Sequence, residues 1–170
     1  LLQLLKKIMA EKIVNPYLRI GLVSIPLAII LLLLWQGRYS GLGTNLISNA
    51  FGNGEIFQVD GFLKLLLTIL TLSIGFQGGE VTPLFSIGAS LGIILGSFLG
   101  ISPMLCAALG YAAVFGSATN TLMAPIMLGI EVFGGNNMLV FVVVCSLAYV
   151  VNGNRSIYGV QENIDKIISR

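Results

Sequence analysis

The chain has 170 residues, 56% of them hydrophobic and only 9% charged, with a formal net charge of +2 and a mean hydropathy of +0.95. A soluble domain carries about 25% charged residues, so this composition has too little charge to cover a water-facing surface and predicts a membrane protein. There is no wide basic field to read nucleic acid, and the lack of histidine removes the commonest metal ligand and general base.

The placement of the charges sharpens this. Lys6, Lys7, Glu11, Lys12 and Arg19 crowd the start, whereas residues 81–130 and 132–154 carry no charge at all. Cys106 and Cys145 lie in apolar surroundings with no CxxC spacing and read as small buried hydrophobes. There is no nucleophile–base pair, no phosphate loop with its lysine and no metal cluster, so no enzyme chemistry, cofactor or metal is expected. The chain begins at Leu1 within a helical pattern, which predicts further residues upstream.

In chain order, 1–14 reads as an amphipathic helix broken at Asn15-Pro16. An apolar helix follows over 20–35, kinked at Pro26 and ending at Trp35, an interfacial aromatic. Residues 37–43 form a turn, 44–51 a short helix and 52–55 a loop; 62–76 is a helix too short to span alone, since about 20 residues are needed. Lys64 within it is expected to snorkel to the interface. A long helix runs over 82–99, another over 104–115 ending at Gly116-Ser117, and Thr119-Asn120 reads as an N-cap for a helix reaching Glu131. Residues 138–151 make the last apolar helix, and 156–169 is polar enough to leave the membrane.

Several of these helices are short and interrupted by glycine or proline at membrane depth. Broken helices occur where loose backbone lines a protein-buried ion path. No soluble domain, linker or tandem repeat is visible. Gly88, Gly92, Gly96 and Gly100, each four residues apart on the long helix, predict close helix packing on one face.

The sharpest chemistry lies in Gly78-Gly79-Glu80-Val81-Thr82-Pro83. Two glycines permit close approach and unusual dihedrals, and Pro83 suits the first turn of a helix. The segment therefore feeds a helix N-terminus, with free N–H groups and partial positive charge, which is a natural anion site. Glu80 either caps this terminus or takes up and releases a proton beside the anion. Thr82 either satisfies a local carbonyl or donates to a small anion. A carboxylate inside an apolar stretch favours function.

At this segment the chain resembles the C-terminal half of the CLC family of chloride channels and chloride/proton antiporters. That family places a Gly-x-Phe-x-Pro motif at the start of a long helix whose amides face the central anion. Gly79-Glu80-Val81-Thr82-Pro83 matches it, with Val81 where the family has phenylalanine. The Glu and Thr resemble the bacterial CLC-type fluoride/proton antiporters, which implies proton coupling for Glu80 and anion contact for Gly79, Val81 and Thr82. Asn154-Arg155-Ser156-Ile157-Tyr158-Gly159 resembles the family segment whose tyrosine donates to the anion, so the resemblance makes Tyr158 a ligand, although membrane tyrosines are commonly interfacial anchors. Ser117-Ala118-Thr119-Asn120-Thr121 also fits the family. Asn120 and Thr121 read as helix caps or as path-lining residues, and Glu131 as a structural acid or a proton carrier.

The resemblance implies an all-α membrane fold of tilted, broken helices, the second half of a CLC-type inverted repeat. Residues 1–19 form its leading amphipathic helix, 20–151 its membrane helices and 152–170 its terminal helix. No Gly-Arg/Lys-Glu-Gly motif of the family's first half is found. The expected partners are fluoride or chloride, protons, the bilayer and a second copy of the protein, in a bacterial plasma membrane. The rival readings are a chloride channel or chloride/proton antiporter, and a non-transporting fragment.

Overall fold

The computed structural model describes residues 2–52, 54–76 and 78–158, in which eight α-helices and two short 3-10 turns occur and no strand. The stretch 159–170, where most of the expected terminal helix falls, lies outside the described residues.

The opening helix α1 (Leu2–Lys12) packs against α4 (Asp60–Ile74). Leu2, Leu5, Lys6 and Met9 are half-buried, at the spacing of one helical face, while Lys7, Glu11 and Lys12 are exposed. Asn15 then starts α2 (Pro16–Leu33): its side chain accepts from the Tyr17 N–H at 3.0 Å, and Pro16 takes the first helical position. The helix runs on through Pro26 and buries only Leu27, leaving Leu22, Ile25, Leu32 and Leu33 exposed. An apolar outer surface of this kind suits lipid or apolar protein, not water. Three stretches, Pro16–Leu33, Val81–Leu99 and Gly135–Asn152, are long and apolar enough to cross a membrane.

A connection through Trp35 and Tyr39 leads to α3 (Thr44–Phe51). Leu27, Tyr39, Leu46, Leu67 and Ile74 form one core cluster, which ties α2, the connection, α3 and α4 together.

The centre of the fold is the pair α5 (Val81–Leu99) and α6 (Pro103–Thr119). Gly88, Gly92 and Gly96 lie in the contact. A Cβ on Gly92 would overlap the Cys106 carbonyl and come within 2.7 Å of the Ala107 Cα, and one on Gly96 would meet the Pro103 Cα at 2.8 Å. Gly100 does not belong to this stripe: it ends α5 in the left-handed region at φ 68, with open space where its Cβ would be. Its role is to turn the chain, because a glycine adopts that conformation without steric cost.

Two further boundaries differ from expectation. Gly116-Ser117 does not stop α6, which continues to Thr119; Gly116 is buried inside it, and a Cβ there would sit 2.6 Å from the Pro125 Cγ. The small residue makes room for a neighbour rather than breaking the helix. Asn120 is not the N-cap of the next helix but the C-cap of α6, at φ 53, with its N–H bonded to the Gly116 and Ser117 carbonyls. Asparagine tolerates the left-handed region better than other non-glycine residues, so one residue type serves either end of a helix. Helix α7 (Met123–Phe133) follows, then α8 (Met138–Asn152), packed on α6 around Ala108, Ala112, Ile126, Phe141 and Cys145.

Candidate anion site

Helix α4 ends at Ile74, whose carbonyl accepts from Arg19 Nε at 2.6 Å, and Gly75 turns the chain at φ 112. Exposed Gly78 and Gly79 lead to Glu80, the N-cap residue of α5. The Glu80 side chain makes no capping hydrogen bond; its Oε1 lies 3.6 Å from Lys6 Nζ on α1. The N–H groups of Glu80, Val81 and Thr82 therefore precede the first full helical turn without intrahelical acceptors, and Pro83, in the third helical position, has no N–H to lose.

Neighbouring hydroxyls on α4 and α5 are committed to their own helices. Ser86 Oγ donates to the Pro83 carbonyl at 2.9 Å, Ser90 Oγ to Ser86 at 2.8 Å and Thr71 Oγ1 to Leu67 at 2.7 Å. Thr82 differs: its side chain is half-buried, and its hydroxyl has no hydrogen-bond partner among the described residues. A free hydroxyl thus stands beside free amides and the positive end of the α5 dipole.

Three cavities meet at this segment. One of about 480 Å³ is mostly apolar and lined by Glu80, Leu84, Ser117, Ala118 and Ile157. A second of about 470 Å³ is lined by Lys6, Arg19, Gly78 and Glu80. The third, about 270 Å³, is lined by Lys64, Gly78, Gly79 and Pro83 with part of the α2–α3 connection. The opening basic stretch is therefore divided: Lys7 and Lys12 stay outside, while Lys6 and Arg19 border the segment.

Lys64 does not snorkel. It is 2% exposed, and its ammonium donates to the carbonyls of Tyr39 at 2.9 Å and Gly41 at 2.7 Å. One turn earlier on α4, fully buried Asp60 accepts from Arg38 Nη2 at 2.6 Å, Arg38 Nε at 3.2 Å, the Tyr39 hydroxyl at 2.7 Å and the Phe57 N–H at 2.9 Å. Sequence reasoning passed over this cluster. The available signal was two opposite charges four residues apart on one face of an apolar helix, Asp60 and Lys64.

The other candidate residues are more dispersed. The Ile157 N–H donates to the Ala118 carbonyl at 2.9 Å, which returns the chain after α8 to the end of α6. Ile157 shares a cavity with Glu80, whereas the Tyr158 side chain is 45% exposed and its hydroxyl has no described partner. The Asn120 Oδ1 accepts from Asn152 Nδ2 at 3.3 Å, and the Thr121 and Thr119 hydroxyls lie 2.8 Å apart. Asn120 thus links the end of α6 to the end of α8, while Thr121 is held on the end of α6. Glu131 is exposed in the last turn of α7 and lines neither cavity that Glu80 lines.

Residues 1–153 match the family model described as voltage gated chloride channel. The chain belongs to the voltage-gated chloride channel family. Among curated members, a chloride/fluoride channel protein of Pseudomonas syringae pv. tomato is 38% identical over 124 residues, covering 73% of this chain and 27% of that protein. An uncharacterised protein of Methanocaldococcus jannaschii is 38% identical over 71 residues, 42% of this chain and 18% of its own. The crystal structure of a CLC-type fluoride/proton antiporter superposes with a TM-score of 0.92 at 55% identity, over 95% of this chain and 41% of that one. The all-α fold of this chain is thus a CLC fold. The chain spans between about a quarter and two fifths of the length of the chloride/fluoride channel protein and the antiporter.

Proposed function

We propose that this chain supplies half of the ion path of a transporter that exports fluoride in exchange for entering protons. The observation that carries this reading is the start of α5, where the Glu80 side chain makes no capping hydrogen bond and the Thr82 hydroxyl has no partner among the described residues. Fluoride is small, tightly hydrated and a strong acceptor, so a site must replace its water with several short donors. The free amides and Thr82 are such donors, with Tyr158 added by resemblance. Glu80 is the one carboxyl at the segment and passes between its charged and neutral forms once per cycle. The fluoride/proton antiporter with 55% identity supports fluoride over other anions. By family resemblance the complete protein is a homodimer in a bacterial plasma membrane, each subunit with its own path.

Proteoliposomes of the full-length protein, loaded with fluoride and followed with a fluoride electrode, test this. Wild-type efflux should acidify the lumen as fluoride leaves, and Glu80→Gln should abolish that coupled export. Normal efflux from Glu80→Gln would remove Glu80 from the mechanism. The second reading, a chloride channel or chloride/proton antiporter, draws on the chloride/fluoride channel protein of Pseudomonas syringae. Competition separates the two: excess external chloride should leave fluoride flux nearly unchanged if fluoride is the cargo.

A further inference from the structure

Lys64 places its amino group inside the fold, with no carboxylate partner among the described residues. Asp60, on the same face of α4, is not available to it. A carboxylate offers about four acceptor sites, and those of Asp60 are taken by two Arg38 nitrogens, the Tyr39 hydroxyl and the Phe57 N–H. With Lys64 protonated, the cluster of Arg38, Asp60 and Lys64 therefore carries one net positive charge, located on Lys64.

The lysine also holds the structure together, because it ties the Tyr39 and Gly41 carbonyls to α4. That role needs two N–H donors, which an uncharged side chain could supply. Burying an ammonium is far more costly than burying an amide, so the charge itself is surplus to holding the connection. The ammonium has a third N–H, and Lys64 lines the cavity of about 270 Å³ that Gly78, Gly79 and Pro83 also line. The packing keeps it there. Gly43, at φ 81, brings the connection so close that a Cβ would meet Lys64 Cε at 2.8 Å.

We propose that Lys64 is an electrostatic determinant of anion affinity: the fixed buried cation that raises the affinity of the 78–83 segment for an anion across their shared cavity. The Asp60, Arg38 and Tyr39 network positions it. A buried charge acts over several ångströms with less screening than an exposed one, so it needs no direct contact with the ion. This inference rests on the anion-site reading above.

The test uses the full-length protein in detergent, with fluoride and chloride binding measured by calorimetry and the fluoride KM and maximal rate measured in proteoliposomes. Lys64→Gln keeps donors without charge, Lys64→Met removes both, and Lys64→Arg keeps the charge. Lys64→Gln should weaken fluoride binding about tenfold (~1.4 kcal/mol) and raise KM more than it lowers the maximal rate, while Lys64→Arg stays within about threefold of wild type. A folded Lys64→Gln that binds like wild type overturns the proposal, as does Lys64→Arg binding as weakly as Lys64→Gln. Failure of both uncharged variants to fold makes the lysine purely structural and also overturns it. A wild-type protein that binds neither anion overturns the site reading, and this inference with it.

Discussion

Replacing Gly92 by alanine tests the packing at the centre of the fold. Carbon atoms pack at about 3.5–4.0 Å, whereas the new Cβ would lie 2.7 Å from the Ala107 Cα and overlap the Cys106 carbonyl. Both neighbours are backbone of α6, so no side chain can rotate away and the helices must part by roughly 1 Å, a gap that forfeits a quarter to a half of each contact well. Gly88 and Gly96 on the same stripe meet α6 as closely, so the separation is felt along the whole interface. Overpacking costs about 1–3 kcal/mol, and rigid surroundings select the upper end. Alanine recovers about 1 kcal/mol of helix propensity, leaving a net loss of about 2 kcal/mol. Denaturant unfolding in detergent measures it. Gly21→Ala in α2 is the control: nothing lies within 4 Å of its Cβ, so it should be neutral or stabilise by up to about 1 kcal/mol. If Gly92→Ala is as stable as Gly21→Ala, close packing of α5 on α6 is refuted. Gly92→Leu should do more damage than alanine.

Two other substitutions probe the buried polar groups. Asp60→Asn puts an NH₂ where Arg38 and Phe57 need an acceptor and leaves the largely buried guanidinium without its counter-charge; a loss of about 3–5 kcal/mol in unfolding free energy is expected. Thr82→Val removes a hydroxyl that has no described partner, so the melting temperature should hold within a few degrees while fluoride affinity falls about tenfold, the effect of one lost hydrogen bond to a charged group. A large drop in melting temperature would mean that the Thr82 hydroxyl serves the fold.

Much of this protein was legible in its sequence because the signals are local. Asn15-Pro16 separates α1 from α2 as expected, although α2 already starts at Pro16 rather than at residue 20; Thr44 begins α3, and Pro83 sits within the first turn of α5 because a proline there loses no hydrogen bond. The 78–83 segment could be located for the same reason: its glycines, carboxyl, hydroxyl and proline are consecutive. Signals with two meanings misled. Gly116 is small enough to admit Pro125 as well as flexible enough to end a helix, and Asn120 caps a C-terminus as readily as an N-terminus.

Sequence by itself determined the solvent and the helices. A chain that is 9% charged, with apolar runs this long, has no way to cover itself for water. Tertiary structure alone decided which charges stay inside. Lys64 and Lys12 are the same side chain, yet one is buried on two carbonyls and the other is exposed. The difference is whether the fold brings acceptors from distant segments to meet the charge, as the α2–α3 connection does for Lys64 and Glu80 does for Lys6. No periodicity encodes those meetings, because the desolvation of a charge is offset only by partners that the packing assembles.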